Sequence, residues 1–359
     1  MQPAFRSVCC VVAALIAVVA AVGAEESFKV LTVADFLELE QVSDPQISPD
    51  GTRILYTRRW VDRMEDRWRS DIWIMNVDGT RNRFLSTGSG PRWSPDGTRF
   101  AFLDDGEPAG NQIFVRWLDA AEATQVTRVE REPSTIRWSP DGTSIAFVMR
   151  TEAEEGWDID MPEEPEGAEW TEEPRVIEGV YFRQDRRGFM EDGYLHLFVV
   201  DADGGTPRQL TRGTWNVGAR TIGLDYGIGI DWTPDGTTIV FDGLMEDDEP
   251  SMPYRRSHLY AVVVSSGAIR RLTVDDGPWT GPVVSPDGKY VAFTGFPWTG
   301  QTYRAEELYV IGLDGSGTRS LTPDLDRTLG SLHWAADGSG VYFVARDRGT
   351  SNVHFVPLR

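Results

Sequence analysis

The sequence is poor in the residues that most often carry chemistry. It has two cysteines and four histidines in 359 residues. Both cysteines, Cys9 and Cys10, fall in an apolar run at the amino terminus, so the rest of the chain has no thiol and can form no disulfide. It contains no G-x-S-x-G elbow of a serine hydrolase, and Gly315-Ser316-Gly317 and Gly338-Ser339-Gly340 have the wrong spacing and read as turns. The absence of H-E-x-x-H and C-x-x-C excludes the usual zinc signatures, and no glycine-rich strand-to-helix loop is present to cradle a phosphate. Positive charge is also scarce. Lys and Arg total 35 against 56 Asp and Glu, a formal net charge of −21, which argues against nucleic acid or an anionic membrane surface as partner.

The amino terminus has the layout of a secretory signal over residues 1–24. Arg6 supplies the positive start, Val8 to Val22 is an unbroken apolar run, and Val22-Gly23-Ala24 offers small residues before Glu25 and Glu26. The run is shorter than the ~20 residues that span a bilayer, and no later apolar run is long enough either. An uncleaved anchor is the alternative. Cleavage implies a periplasmic or secreted protein with no membrane span.

The remainder is organised by repetition. One turn recurs at Ser48-Pro49-Asp50-Gly51, Ser94-Pro95-Asp96-Gly97, Ser139-Pro140-Asp141-Gly142, Thr233-Pro234-Asp235-Gly236 and Ser285-Pro286-Asp287-Gly288, with a worn copy at Ala335-Ala336-Asp337-Gly338. Trp93, Trp138, Trp232 and Trp334 stand just before four of these turns. Proline presets the first central position, Asp can bond nearby backbone N–H groups, and Gly takes the left-handed conformation that starts the return strand. These aspartates are therefore turn-makers, since one carboxylate per repeat makes no Ca²⁺ cage. A second hairpin follows each turn, for example Ile113-Phe114-Val115 to Val126-Thr127 and Leu259-Tyr260-Ala261 to Leu272-Thr273. Two hairpins per repeat make four short antiparallel strands, and such a unit repeated at this period predicts an all-β protein, a β-propeller.

Successive turn aspartates lie 46, 45, 94, 52 and 50 residues apart. The excess in the third interval falls between Asp141 and the hairpin at Leu197, so it marks an insertion near residues 151–190 rather than a missing blade. This predicts about six repeats over residues 46–359, the last incomplete. Glu152 to Glu173 holds eleven acidic residues and no basic one, with Trp157 and Trp170 among them. Such a charge run reads as a solvated loop, with a rim flap that attracts a cationic group as the sharper alternative. His196 and His258 stand at matching places just before second hairpins, which points to a structural role at a strand start. The residues assign no catalytic, cofactor-binding, metal-binding or substrate-binding position, and no cofactor is expected.

Longer blocks resemble a known family. Leu31-Thr32-Val33-Ala34-Asp35-Phe36-Leu37 through Val42-Ser43-Asp44-Pro45, then Met64-Glu65-Asp66-Arg67-Trp68-Arg69-Ser70-Asp71-Ile72-Trp73, is similar to the opening of the propeller in the prolyl oligopeptidase family of serine peptidases. The acylaminoacyl-peptidase and dipeptidyl-peptidase branches fit best. Pro174-Arg175-Val176-Ile177, Tyr194-Leu195-His196-Leu197-Phe198-Val199-Val200-Asp201 and Gly205-Thr206-Pro207-Arg208-Gln209-Leu210-Thr211 resemble their third-blade region. The resemblance implies a propeller that caps an α/β-hydrolase domain and filters peptide substrates by size. No triad residue carries over, because the matching positions would follow Arg359. It thus implies a non-catalytic, substrate-gating portion of a peptidase. The S-P-D-G and L-T signatures are shared with TolB-like propellers, which leaves a complete six-bladed module binding a protein or peptide as the alternative. Residues 25–45 would be a linker, with Thr32 capping a short helix over Val33–Leu39. Alternatively, Phe28 to Thr32 would be a strand that closes the sixth blade.

Overall fold

The computed structural model describes residues 30–152, 162–171, 177, 182–185, 188–189, 193–222, 225–245, 256–301 and 304–359. The signal segment, Phe28, Lys29 and parts of the acidic insertion lie outside them. The chain forms a six-bladed β-propeller of antiparallel sheets. Blade 1 is β1 (Gln41–Ile47), β2 (Arg53–Asp62), β3 (Arg67–Asn76) and β4 (Arg83–Thr87); blade 2 is β5 (Ser89–Trp93), β6 (Arg99–Asp105), β7 (Asn111–Trp117) and β8 (Thr124–Gln125). Blade 3 is β9 (Pro133–Trp138), β10 (Ser144–Thr151), β13 (Tyr194–Asp201) and β14 (Arg208–Gln209). The two-stranded pair β11 (Arg183–Gln184) and β12 (Gly188–Phe189) lies within its insertion. A second small pair, β15 (Ala219–Ile222) and β16 (Asp225–Gly227), precedes blade 4, which is β17 (Ile230–Trp232), β18 (Thr238–Gly243), β19 (His258–Val263) and β20 (Ile269–Arg271). Blade 5 is β21 (Thr280–Val284), β22 (Tyr290–Gly295), β23 (Glu307–Gly312) and β24 (Arg319–Ser320); blade 6 has three strands, β25 (Leu329–Trp334), β26 (Gly340–Asp347) and β27 (Thr350–Pro357).

Among the described residues, those up to Gln41, with Arg59–Arg69, form a small unit of their own, and those of Val42–Arg58 with Ser70–Arg359 form the larger one. In the small unit, Thr32 caps α1 (Val33–Leu37). Its hydroxyl accepts from the Asp35 N–H at 3.2 Å, while Asp35 Oδ2 accepts the Thr32 N–H at 2.9 Å, a reciprocal capping box. Arg63 donates to the Ala34 carbonyl and pairs with Glu38 at 3.2 Å.

In the larger unit the recurrent turn has one geometry. Gly51 donates to the Ser48 carbonyl at 2.8 Å and Ser48 Oγ donates to Asp50 Oδ1 at 2.5 Å. The same hydroxyl accepts the Arg53 N–H, and Asp50 accepts the Thr52 N–H. The glycines at this place, Gly51, Gly97, Gly142, Gly236, Gly288 and Gly338, have φ between 69° and 71°, a left-handed conformation that any Cβ would strain. Hydrogen bonds to the anionic form hold Asp50 and Asp287 down to about 2.

The core lies between blades. Middle strands are apolar on both faces. In β10, Ala146 and Val148 pack with Ile230, Ile239 and Phe241 of blade 4. The alternate residues Ile145 and Phe147 pack with Ile113 and Val115 of blade 2. Such two-sided burial explains why these strands read as continuous hydrophobic runs, and why one blade alone could not fold.

Hydrogen bonds lace successive first strands together. The indole N–H of Trp93 donates to the Gln46 carbonyl, Trp138 to Arg92, Trp232 to Arg137 and Trp334 to Val283, at 2.9, 2.9, 3.4 and 2.9 Å. Blade 5 has Val284, and blade 1 Ile47, where the other four blades have tryptophan. In blade 5 the tie is reversed, and the Val284 N–H donates to Asp231 Oδ2 of blade 4 at 2.8 Å. Asp242, fully buried on β18, reinforces this seam by accepting the Gly229 N–H at 2.9 Å, the Gly281 N–H at 2.9 Å and the Thr280 hydroxyl at 2.7 Å. The strands approach so closely that a Cβ on Gly229 would meet Pro282 Cδ at 2.5 Å. In blade 1, Thr57 at the place matching Asp242 accepts the Gly90 N–H through its hydroxyl at 3.3 Å.

Burial raises Asp231 and Asp242 from 3.8 to about 6, even though each accepts backbone hydrogen bonds. Both therefore hold protons in the folded protein at pH values where the unfolded chain has released them. Their contribution to stability is full below about pH 4 and declines as pH rises to about 6, by about 3 kcal/mol each. The turn aspartates run the other way, adding stability as pH rises from about 2 to about 4.

Two outcomes are expected. Trp138→Phe keeps the buried ring and deletes the donor to the Arg92 carbonyl, so urea denaturation should show a loss of about 1–2 kcal/mol; unchanged stability would refute the tie. Asp242→Thr should lose less stability between pH 4.5 and 7 than the parent protein, by about 2 kcal/mol. Identical pH profiles would mean that Asp242 carries no such penalty.

Candidate functional site

The first strands of blades 2 to 6 lie against one another in succession, β5 with β9, β9 with β17, β17 with β21 and β21 with β25, which makes them the innermost strands around the propeller axis. On each of them, and on β1, the residue two places before the turn motif occupies an equivalent position. These residues are Gln46, Arg92, Arg137, Asp231, Val283 and His333. Just ahead of it, the pairing of β5, β9, β21 and β25 with the next strand slips in register. Asp44, Gly90, Thr135, Gly281 and Ser331, four places before the motif, have φ between 52° and 65°. This is a bulge repeated blade after blade, and bulges re-aim the side chains beside them. Thr135, β-branched and left-handed at φ 52°, stands in a conformation that costs energy and is met most often at functional sites.

The charges are concentrated on blades 1 to 4. Asp44 Oδ2 accepts from Arg92 Nη1 at 2.5 Å and Asp44 Oδ1 accepts from Gln46 Nε2 at 2.8 Å. Arg92 Nη1 also donates to the Pro91 carbonyl at 2.8 Å. Asp231 is engaged by the Val284 N–H. Arg137 differs, since the one hydrogen bond of its side chain among the described residues is from Nη1 to the Ile136 carbonyl at 3.2 Å. Burial, and next the positive charge of Arg92, hold its guanidinium below the usual arginine range, against the opposing pull of Asp231 and Asp44. Arg137 and Asp231 are crowded by protein and yet each keeps part of its surface accessible.

The two histidines stand elsewhere. Thr211 Oγ1 accepts the Leu197 N–H at 2.9 Å and lies 3.1 Å from His196 Nδ1, and His196 Nε2 lies 3.0 Å from the Gly213 carbonyl. The hydroxyl thus donates to Nδ1 and the ring proton sits on Nε2, a neutral imidazole whose pKa burial pushes down. His258 repeats the arrangement with Thr273, and Gln112 with Thr127. The Leu-Thr signature is explained by the threonine hydroxyl, which accepts a backbone N–H in the first half of the third strand. Among the described residues no three His, Cys, Asp or Glu side chains gather as a metal site. Of the acidic insertion, Trp170 is exposed and its N–H donates to Glu164 Oε1 at 2.9 Å, while Trp157 lies outside the described residues. Sequence reasoning assigned no functional residue, and it passed over the axial set. The signal was there at a fixed offset from each turn motif, but its chemistry changes from blade to blade, so no repeated residue marks it.

Residues 169–295 match the dipeptidyl peptidase IV (DPP IV) N-terminal region family. The chain is 23% identical over 359 aligned positions to dipeptidyl-peptidase 5 of Porphyromonas gingivalis, covering 92% of this chain and 48% of that protein. It is 30% identical over 234 positions to an uncharacterized peptidase, YuxL, of Bacillus subtilis, covering 63% of this chain and 33% of the relative. The chain thus spans half or less of the length of these curated relatives. Among solved structures it superposes on Pyrococcus horikoshii acylaminoacyl peptidase with a TM-score of 0.66 at 20% identity, covering 90% of this chain and 46% of that one. Residues 169–295, from the insertion of blade 3 to the second strand of blade 5, thus match the dipeptidyl peptidase IV N-terminal region, and the superposition shows the same propeller fold.

Proposed function

We propose that this propeller is the substrate-admitting, non-catalytic portion of a secreted or periplasmic serine peptidase, and that peptide bonds are cleaved by an α/β-hydrolase domain beyond the residues described. The reading rests on the polar inner wall. An axial channel lined by Gln46, Arg92, Arg137, Asp231 and His333 offers hydrogen-bonding and charged groups to an extended peptide. Its walls are fixed by interblade hydrogen bonds, so it excludes a folded chain. Rigid first strands suit such a filter, because a site held by sheets is more sharply placed than one on loops. The secretory layout of residues 1–24 supports the location, and the match of residues 169–295 supports the family role.

The inner wall can be tested with a single reporter. His333→Cys, in a chain with Cys9 and Cys10 replaced by serine, places one thiol on an innermost strand. A saturating N-acetyl tetra-alanine peptide should slow its alkylation by iodoacetamide severalfold, whereas a folded protein of similar concentration should not. Alkylation that ignores the peptide would overturn the reading. Retardation by a folded partner instead would favour a protein-binding module of the TolB-like kind.

A further inference from the structure

The axial charges are two of each sign, Arg92 and Arg137 against Asp44 and Asp231, but they are not all paired. Arg92 has its carboxylate in Asp44, and Asp231 has its donor in the Val284 N–H. Arg137 has five N–H donors, of which one meets the Ile136 carbonyl. No carboxylate among the described residues lies within ion-pair range of it. Its neighbours nevertheless hold it firmly. Trp138 next to it anchors to blade 2, the Arg137 carbonyl itself receives the Trp232 indole of blade 4, and the strained Thr135 bulge sets its approach.

We infer that Arg137, backed by Arg92, is a carboxylate-recognition site on the propeller's inner wall, and that the peptides it admits are those presenting a carboxylate, either at the C-terminus or on an acidic side chain. A planar guanidinium with free donors matches a carboxylate in a bidentate fork, and charge-assisted bonds of this kind are the stronger ones. The second positive charge of Arg92, which weighs on Arg137, becomes favourable once an anion arrives. Asp231 and Asp44 limit the site to one negative group, because a second would meet their like charges. The setting sharpens the choice. A chain of net charge −21 repels anions in general, so an acidic peptide is held only where guanidinium donors not already spent on protein face it, as at Arg137.

The inference rests on the peptide-admitting reading above, and the test separates the two. Binding to the full chain is measured by calorimetry with four probes. They are N-acetyl tetra-alanine as the free acid, its C-terminal amide, the amide of N-acetyl-Ala-Asp-Ala-Ala, and its Asn counterpart. At least one carboxylate-bearing probe should bind about tenfold tighter than its neutral partner, the magnitude of a charge-assisted pair. Which one does so distinguishes a C-terminal from a side-chain carboxylate. Arg137→Gln should abolish that preference while leaving the neutral probes unchanged, and Arg137→Lys should restore part of it. Arg348→Gln, at an exposed site on another blade, should preserve it. Equal affinity of the parent protein for acid and neutral probes overturns carboxylate recognition and leaves peptide admission standing. Failure of all four to bind at millimolar concentration overturns both. Should Arg137→Gln not fold, the acid-against-amide comparison on the parent protein decides alone.

Discussion

The structure depends on apolar surface shared between neighbouring sheets. Each blade is greasy on both faces, so no blade has a core until the next one arrives. Leu55, Ile72 and Phe100 illustrate the point at the first seam, where two come from one blade and one from the next. This non-directional attraction fixes that the blades stack, but it does not fix their spacing or rotation. Directional bonds do that at the axis. An indole donor or a carboxylate acceptor at each described seam locks one first strand to the next, which is why the inner wall is regular enough to hold charges in set places.

Much of this was legible in the sequence because the repeat depends on local chemistry. Ser-Pro-Asp-Gly specifies a turn through proline's fixed φ, a side-chain bond and a left-handed glycine, and these act over a few residues wherever they occur. The Leu-Thr ending was visible as a pattern, and its cause was not, because the hydroxyl of Thr127 or Thr211 reaches a backbone N–H fourteen residues earlier. The tryptophans before the turns were visible too, though as bulk rather than as donors to another blade.

The inner wall was not legible. Asp44 and Arg92 are 48 residues apart, and Asp231 meets the N–H of a residue 53 positions later, so nothing local ties them. Their pairing exists only once the blades have stacked. The family resemblance supplied a function class but could not point to these side chains, since inner-wall chemistry varies where turn chemistry does not. The raised pKa values of Asp231 and Asp242 likewise come from burial that only the assembled seam creates.

Propellers invite modular thinking, with blades treated as interchangeable cassettes. Four of the described joints permit it, because any blade that brings a tryptophan can engage a plain main-chain carbonyl on its predecessor. The joint between blades 4 and 5 does not. Val284 carries no donor beyond its own amide, so it relies on an acid supplied from upstream, and Asp231 in turn has its partner downstream. In any recombination of this chain with its kin, those two blades must be inherited as a pair.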